Sequence, residues 1–168
     1  MLWQNLFIIL NQTEKNKITL YTDGASRGNP GRGGLGAVLI YGNLVKEISK
    51  GFQKTTNNRM ELMAVIEGLK AIKWQNMEVH IYTDSKYVMD AVVKGWLKSW
   101  VAKGFKGKKN EDLWREYIRV SRDHQIHFYW VKGHSGNAYN EKCDYLATQA
   151  ADLYPIHTDT GFVQNTLS

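Results

Sequence analysis

Residues 17–52, KITLYTDGASRGNPGRGGLGAVLIYGNLVKEISKGF, decide the fold of this chain. From Lys17 to Thr22, apolar and polar residues alternate, as they do in a half-buried strand. Gly24 to Gly34 is rich in Gly and contains a Pro, which predicts a turn. Leu35 to Tyr41 and Leu44 to Phe52 predict two further strands, joined by a tight hairpin at Gly42-Asn43. This stretch therefore predicts an antiparallel meander of three strands.

Helical and strand patterns alternate after the meander. The predicted helices are Met60–Trp74, Ser85 to about Lys94, Asp112–Val120 and Asn140–Leu153, and the predicted strands are Glu78–Thr83 and Gln125–Val131. A crossover through a helix returns the chain parallel to the strand it left. The sequence therefore predicts an α/β fold with a mixed five-stranded sheet. Three antiparallel strands are followed by two parallel additions, and four or five helices pack on the sheet.

Composition indicates one globular domain. The 168 residues are 43% hydrophobic, without a low-complexity run or an internal repeat. Cys143 is the only cysteine, which excludes an intramolecular disulfide and a cysteine-rich zinc module. Neither a signal-peptide core nor a run of about 20 apolar residues is found, so we expect a cytoplasmic protein. The expected division is an N-terminal extension of unknown role (1–16), a main domain (17–154) and a C-terminal tail (155–168).

The net charge of +6 is concentrated in one part of the chain, Ala91–Asn110, which we call the basic segment. It contains six lysines and no acidic residue, and Trp96, Trp100 and Phe105 are interleaved with the lysines. Cations beside flat aromatic rings suit a nucleic-acid backbone and its bases. A solvated helix whose aromatic side chains turn inward is the alternative.

Four carboxylates lie where an uncompensated charge would be costly. Asp23 and Asp84 each end a predicted strand, and the carboxyl ends of strands are where α/β sheets usually place ligands. Glu61 and Asp144 border the apolar faces of predicted helices. Such a set favours a divalent-metal site.

Each carboxylate also has an ordinary structural interpretation. Asp84 and Ser85 could cap a helix, Asn58 and Glu61 have capping-box spacing, Asp23-Gly24 is a common turn, and Asp144 could pair with a lysine. These interpretations stay open for each residue taken alone.

The segments around these acids, and a further segment that ends at His134, follow one another in the order found in a known protein family. They are Tyr21-Thr22-Asp23-Gly24, Asn57-Asn58-Arg59-Met60-Glu61-Leu62, Tyr82-Thr83-Asp84-Ser85, Trp130-Val131-Lys132-Gly133-His134 and Asn140-Glu141-Lys142-Cys143-Asp144. From about Lys17 to Phe162 the chain resembles the type I ribonuclease H family, in its bacterial ribonuclease HI-like form.

The resemblance implies an endonuclease that cuts the RNA strand of RNA/DNA hybrids and leaves 5′-phosphate and 3′-hydroxyl ends. It implies two Mg²⁺ ions, with Mn²⁺ as a possible substitute. Asp23 would bind both ions, Glu61 and Asp84 the first, and Asp144 the second. His134 would assist proton transfer or product departure. A monomer without an obligatory protein partner is the expected state.

The resemblance also implies where the hybrid binds. Gly24, Ala25, Asn29, Asn57 and Asn58 lie in segments that would sense 2′-hydroxyls, and Lys86 stands where the family often has glutamine. The basic segment matches the family's basic protrusion, which holds the DNA strand, and its candidate contacts are Trp96, Trp100, Lys103, Phe105 and Lys106.

Two other functions are compatible with part of this pattern. One is a different nuclease, integrase or resolvase of the same superfamily, since a shared sheet and acid cluster do not fix the substrate. The other is a hybrid-binding module without catalysis. The four acids and His134 argue against the second, because loss of an acid would be its expected mark.

Overall fold

A five-stranded mixed sheet forms the centre of the molecule. The computed structural model describes residues 16–133 and 136–167. The strands are β1 (Lys17–Gly28), β2 (Gly31–Tyr41), β3 (Leu44–Thr55), β4 (Glu78–Thr83) and β5 (Gln125–Trp130). Their order across the sheet is β3-β2-β1-β4-β5. The pairs β1–β2 and β2–β3 are antiparallel, and β1–β4 and β4–β5 are parallel, so the predicted fold class is confirmed.

Six helices occur in the described part of the chain. They are α1 (Asn57–Lys70), α2 (Lys86–Val93), α3 (Trp96–Ala102), α4 (Glu111–Ser121), α5 (Ala138–Leu153) and α6 (Thr160–Leu167). The short α3 and the C-terminal α6 were not predicted. None of the helices in these ranges is long and apolar enough to cross a bilayer.

The predicted turn at Gly24–Gly34 is correct only at Asn29-Pro30, and its bounds were wrong. β1 continues to Gly28 and β2 begins at Gly31, so most of the glycine-rich stretch is paired strand. Gly34 serves a close helix contact instead: a Cβ added there would lie 2.0 Å from the carbonyl oxygen of Ala147 in α5. Only strands without side chains at such positions allow α5 to lie directly on the sheet.

The main core lies between one face of the sheet and α1. Ile18 and Leu20 of β1 pack in one buried cluster with Val79 and Ile81 of β4. The apolar side of α1 and the fully buried Trp114 of α4 join the same cluster. Because side chains alternate along a strand, Gly34 faces the opposite side of the sheet, where α5 packs. The sheet is thus held between α1 and α4 on one face and α5 on the other.

A buried ion network joins α1 to the segment before α6. The Arg59 guanidinium donates to Asp159 and to Asp112 at 2.7 Å each, and the side chains of Arg59 and Asp159 are only 2% exposed. Thr55 of β3 donates its hydroxyl to the same Asp159 carboxylate, at 2.7 Å. Nearby, the Gln53 N–H donates to the His157 carbonyl oxygen at 2.9 Å, and a parallel β-bridge forms between residues 52 and 157. The C-terminal segment is therefore packed onto β3 and α1.

Candidate active site

Two of the four predicted acids lie at equivalent positions of neighbouring strands. The parallel pairing of β1 with β4 ends at Tyr21 and Tyr82, and Asp23 and Asp84 each lie two residues further along. Asp84 directly follows β4, as predicted. The prediction that Asp23 ends its strand was wrong, because β1 remains paired with β2, where Asp23 stands opposite Gly36. Only the parallel pairing of β1 with β4 stops there, so Asp23 lies beside the carboxyl end of β4.

Helices bring the other two acids to the same place. Glu61 lies in the second turn of α1, and Asp144 lies in α5, where the preceding Cys143 is buried. A Cβ added at Gly36, the partner of Asp23, would lie 2.3 Å from the Cys143 carbonyl oxygen. The close approach of α5 thereby carries Asp144 toward Asp23.

The pKa of Asp23 is influenced by the other three carboxylates. Its side chain is almost fully buried, with 7% of the residue exposed. Burial, followed by the negative charges of Asp84, Asp144 and Glu61, raises its pKa to about 8, although a hydrogen bond from the Gly24 N–H at 2.8 Å opposes the shift. Clustered carboxylates that repel one another form a set of hard oxygen donors. This donor set fits divalent cations such as Mg²⁺.

Glu61 is held in place by two hydrogen bonds. The Asn57 side-chain amide donates to Oε1 at 2.8 Å, and the Ser85 hydroxyl donates to Oε2. Burial raises the pKa of Glu61 and both hydrogen bonds oppose that rise. Ser85 also caps α2 by accepting from the Val88 N–H at 3.2 Å. The sequence predicted Ser85 only as a helix cap and gave no sign of its contact with Glu61.

Two glycines permit the close packing around the acids. A Cβ at Gly24 would lie 2.3 Å from the backbone nitrogen of Glu61, so only glycine lets β1 approach the first turns of α1. A Cβ at Gly133 would lie 2.9 Å from Asp84 Oδ2, which puts Gly133 against that carboxylate. The predicted catalytic His134 follows Gly133 in the sequence and lies outside the described residues.

The predicted 2′-hydroxyl sensors follow the edge formed by β1 and α1. Asn29 accepts through Oδ1 from the backbone N–H of Asn57 at 3.1 Å, which links the β1–β2 turn to the start of α1. Asn58 is exposed beside it, and Ala25 is half-buried in β1. The actual N-cap of α1 is Thr56, whose side chain accepts from the Arg59 N–H. Thr56 therefore fills the capping role that was considered for Asn58.

Lys86 and Trp130 form a small platform next to Asp84. Lys86 is the exposed first residue of α2, and its Nζ lies 5.7 Å from the centre of the Trp130 ring. Trp130 ends β5 and is largely exposed. Lys86 was predicted to lie near the substrate, whereas Trp130 was not predicted as a site residue. The position of Trp130 shortly before Gly133 could have indicated its role.

The basic segment presents its lysines outward and divides its aromatic residues. Lys103 and Lys106 are exposed, as is Trp96, whose ring lies 5.1 Å from Lys94 Nζ. Trp100 is half-buried and meets Trp114 edge-on at 5.7 Å. Phe105 is 3% exposed, so its ring is core and is not available to stack on a base. The prediction of a Phe105 substrate contact is corrected accordingly, whereas Trp96 has the exposure that such a contact needs.

Comparisons with known proteins identify the family to which this fold and acid cluster belong. The family model for RNase H matches residues 15–152. The Ribonuclease H of Trichodesmium erythraeum (strain IMS101) is 48% identical over 156 residues, which cover 89% of this chain and 99% of that protein.

Solved structures agree with the sequence relatives. The crystal structure of LC9-RNase H1, a type 1 RNase H with the type 2 active-site motif, has a TM-score of 0.74 and 32% identity, covering 82% of this chain and 72% of that one. The crystal structure of LC11-RNase H1 in complex with RNA/DNA hybrid has a TM-score of 0.59 and 26% identity, covering 80% and 96%.

These matches define the class as nucleases with an α/β fold. The chain belongs to the ribonuclease H family, and the predicted enzyme class, a ribonuclease H, is confirmed. Enzymes of this family generally use divalent metal ions, in keeping with the oxygen donors collected around Asp23.

Proposed function

We propose that this chain is an endonuclease that hydrolyses the RNA strand of RNA/DNA hybrids by two-metal-ion catalysis. The products would carry 5′-phosphate and 3′-hydroxyl ends. The observation that carries the proposal is the convergence of four carboxylates at one end of the sheet, where the buried Asp23 lies under the combined charges of Asp84, Asp144 and Glu61. Support for the substrate comes from the similar LC11-RNase H1, whose structure contains an RNA/DNA hybrid.

The four acids would hold the two Mg²⁺ ions, with Mn²⁺ as a possible substitute. Asp23 would contribute to both sites, Glu61 and Asp84 to the first, and Asp144 to the second. When bound, the ions would stabilise the attacking water and the leaving oxygen of an in-line displacement at phosphorus. Ser85 and Asn57 fix both oxygens of Glu61, so that carboxylate keeps its orientation before any ion binds. Proton transfer or product departure assisted by His134 remains a prediction.

Hybrid recognition would involve two surfaces. Gly24, Ala25, Asn29, Asn57 and Asn58 would sense 2′-hydroxyls on the RNA strand, since small residues and polar donors near the acids suit that contact. Lys86 would lie beside the same strand. On the basic segment, Trp96, Trp100, Lys103 and Lys106 would contact the DNA strand, with the buried Phe105 supporting them from inside.

Residues 17–154 are proposed as the catalytic domain, with 1–16 as an extension of unknown role and 155–168 as a C-terminal tail. The ion pair between Arg59 and Asp159 suggests that the tail contributes to stability rather than to cleavage. A monomeric state without an obligatory protein partner and a cytoplasmic location remain predictions. Light scattering during size-exclusion chromatography would test the first.

A strand-labelled RNA/DNA hybrid tests the function directly. The protein should cut only the RNA strand, only with Mg²⁺ or Mn²⁺, and should leave duplex RNA and duplex DNA intact. Mapping of the fragment ends should give 5′-phosphates and 3′-hydroxyls. Cutting of duplex DNA at a similar rate would instead assign the chain a different nuclease activity.

Asp84→Asn is the sharpest variant for this assay. Losing one ligand charge should reduce cleavage by at least about 100-fold, as expected when a positioned group of the reaction is removed. Asp123→Asn, which changes an exposed aspartate beyond the end of α4, is the matched control and should cleave normally. Circular dichroism should show both variants folded. Substantial cleavage by Asp84→Asn would remove Asp84 from the proposed metal site.

A further inference from the structure

Three potential metal ligands meet on the open face of the sheet, away from the four acids. Glu78 and His80 belong to β4, and His127 of β5 is the register partner of His80. Each offers one ligand atom, and these atoms all lie within 4.8 Å of one another. His80 is four residues from Asp84, or about 13 Å along an extended strand. The cluster is therefore separate from the proposed active site.

We propose that Glu78, His80 and His127 form a binding site for a borderline transition-metal cation of the Zn²⁺ class. Glu78 Oε1 lies 3.0 Å from His80 Nε2 and 3.4 Å from His127 Nε2. Tetrahedral zinc with bonds of about 2.0–2.2 Å sets its ligand atoms about 3.3 Å apart. The two distances from Glu78 already suit that geometry. The ligand nitrogens of His80 and His127 lie at most 4.8 Å apart, so they would have to approach each other by about 1.5 Å at most.

The surroundings of His80 favour a metal ligand. Its second ring nitrogen, Nδ1, lies 2.8 Å from the Tyr129 hydroxyl, and its ring stacks on those of Tyr129 and His127. Metal-binding histidines generally have such a partner on the other nitrogen, which fixes the ring and its tautomer. His80 is mostly buried, with 13% of its side chain exposed, whereas His127 is 46% exposed and leaves the site open to solvent.

The ligand types select the cation. Imidazole nitrogens suit Zn²⁺, Co²⁺, Ni²⁺ and Cu²⁺, whereas Mg²⁺ prefers a full set of oxygens. Lys17 is the register partner of Glu78 across β1, so its positive charge would weaken binding somewhat. A bound ion would join β5, the last strand of the sheet, to β4. Asp84 directly follows β4, and Gly133 lies three residues after β5. A bound ion would therefore stabilise the two strands that position these residues of the proposed active site.

Zinc titration in excess Mg²⁺ tests the site, because Mg²⁺ occupies carboxylate sites that would otherwise take up zinc. Calorimetry should show one Zn²⁺ per chain. Saturation at about 100 times the dissociation constant should raise Tm by roughly 5–10 °C. Co²⁺ in place of Zn²⁺ should give the visible absorption of a tetrahedral nitrogen and oxygen site.

Matched variants locate the ion. His127→Gln and Glu78→Gln should each weaken Zn²⁺ binding by more than about 10-fold, the loss seen even when an outer-shell partner is removed. His157→Gln, which alters an exposed histidine beside β3, should bind as the parent does, and so should Asp84→Asn. Because His127 is half exposed, its variant should retain the zinc-free Tm of the parent. Unchanged affinity in His127→Gln, or loss of binding in Asp84→Asn, would overturn the proposal.

Discussion

Replacing Arg59 by Met should lower the free energy of unfolding by about 3–5 kcal/mol, the usual cost of removing one partner of a buried ion pair. Arg59 and Asp159 are both 2% exposed, and the guanidinium donates two hydrogen bonds to that carboxylate, at 2.7 and 2.8 Å. Without Arg59, the Asp159 charge stays buried, and among the described residues the Thr55 hydroxyl and the Phe162 N–H still donate to it. Asp112 would lose the same cation, but it is partly exposed and can be hydrated.

Urea unfolding followed by tryptophan fluorescence measures this loss. At about 2–4 °C per kcal/mol for a chain of this size, the expected fall in Tm is roughly 6–20 °C. Arg27→Met is the matched control, because it removes an arginine from an exposed ion pair with Asp152. Its urea midpoint and its Tm should hardly change. The urea slope should be the same in both variants, which would show that the unfolding transition itself is unaltered.

A double variant separates lost attraction from uncompensated charge. Arg59→Met combined with Asp159→Leu removes both buried charges, so it should be more stable than Arg59→Met alone. Two results would refute the reasoning. One is an Arg59→Met variant as stable as Arg27→Met, and the other is a double variant no more stable than the single one.

Two further predictions concern the acids and the basic segment. Because burial and neighbouring carboxylates raise the pKa of Asp23 from 3.8 to about 8, the metal-free fold should lose stability as pH rises through that window. Asp23→Asn should therefore raise Tm in chelator at about pH 8 and leave it unchanged near pH 3, where the carboxyl is protonated in both states; an equal gain at both pH values would contradict this account. Replacing Lys103 and Lys106 by Ala should weaken hybrid binding and lower the salt slope by about two units, one per lost phosphate contact. Lys46→Ala on β3 is the control, and an unchanged slope in the double variant would exclude the basic segment as the binding surface.

Local sequence patterns predicted most of the fold. Glu78–Thr83 has the same bounds in sequence and structure because strict alternation over a short run has only one interpretation. Helix ends were harder to place: Asn58 was considered as a cap, yet Thr56 caps α1, because several polar residues in a row offer the same local chemistry.

Long-range packing explains what the sequence could not reveal. Gly34 and Gly36 of β2 serve α5, whose contacting residues lie more than a hundred positions later, and the local sequence around Gly34 gave only the turn interpretation. The alternation of Lys with aromatic residues could not tell Trp96, which is exposed, from Phe105, which packs in the core. Arg59 was known only as a neighbour of Glu61, and its burial depends on Asp112 and Asp159, which are supplied by distant segments.

The contact between His157 and β3 has a consequence for association between copies of the protein. β3 is the outermost strand on its side of the sheet, and an outermost strand offers unpaired N–H and C=O groups to other chains. Hydrogen bonds from Gln53 to His157 and from His157 to Gly51 occupy part of that strand. The C-terminal segment thereby limits strand addition at this side, and a chain ending before residue 155 would have a greater tendency to aggregate.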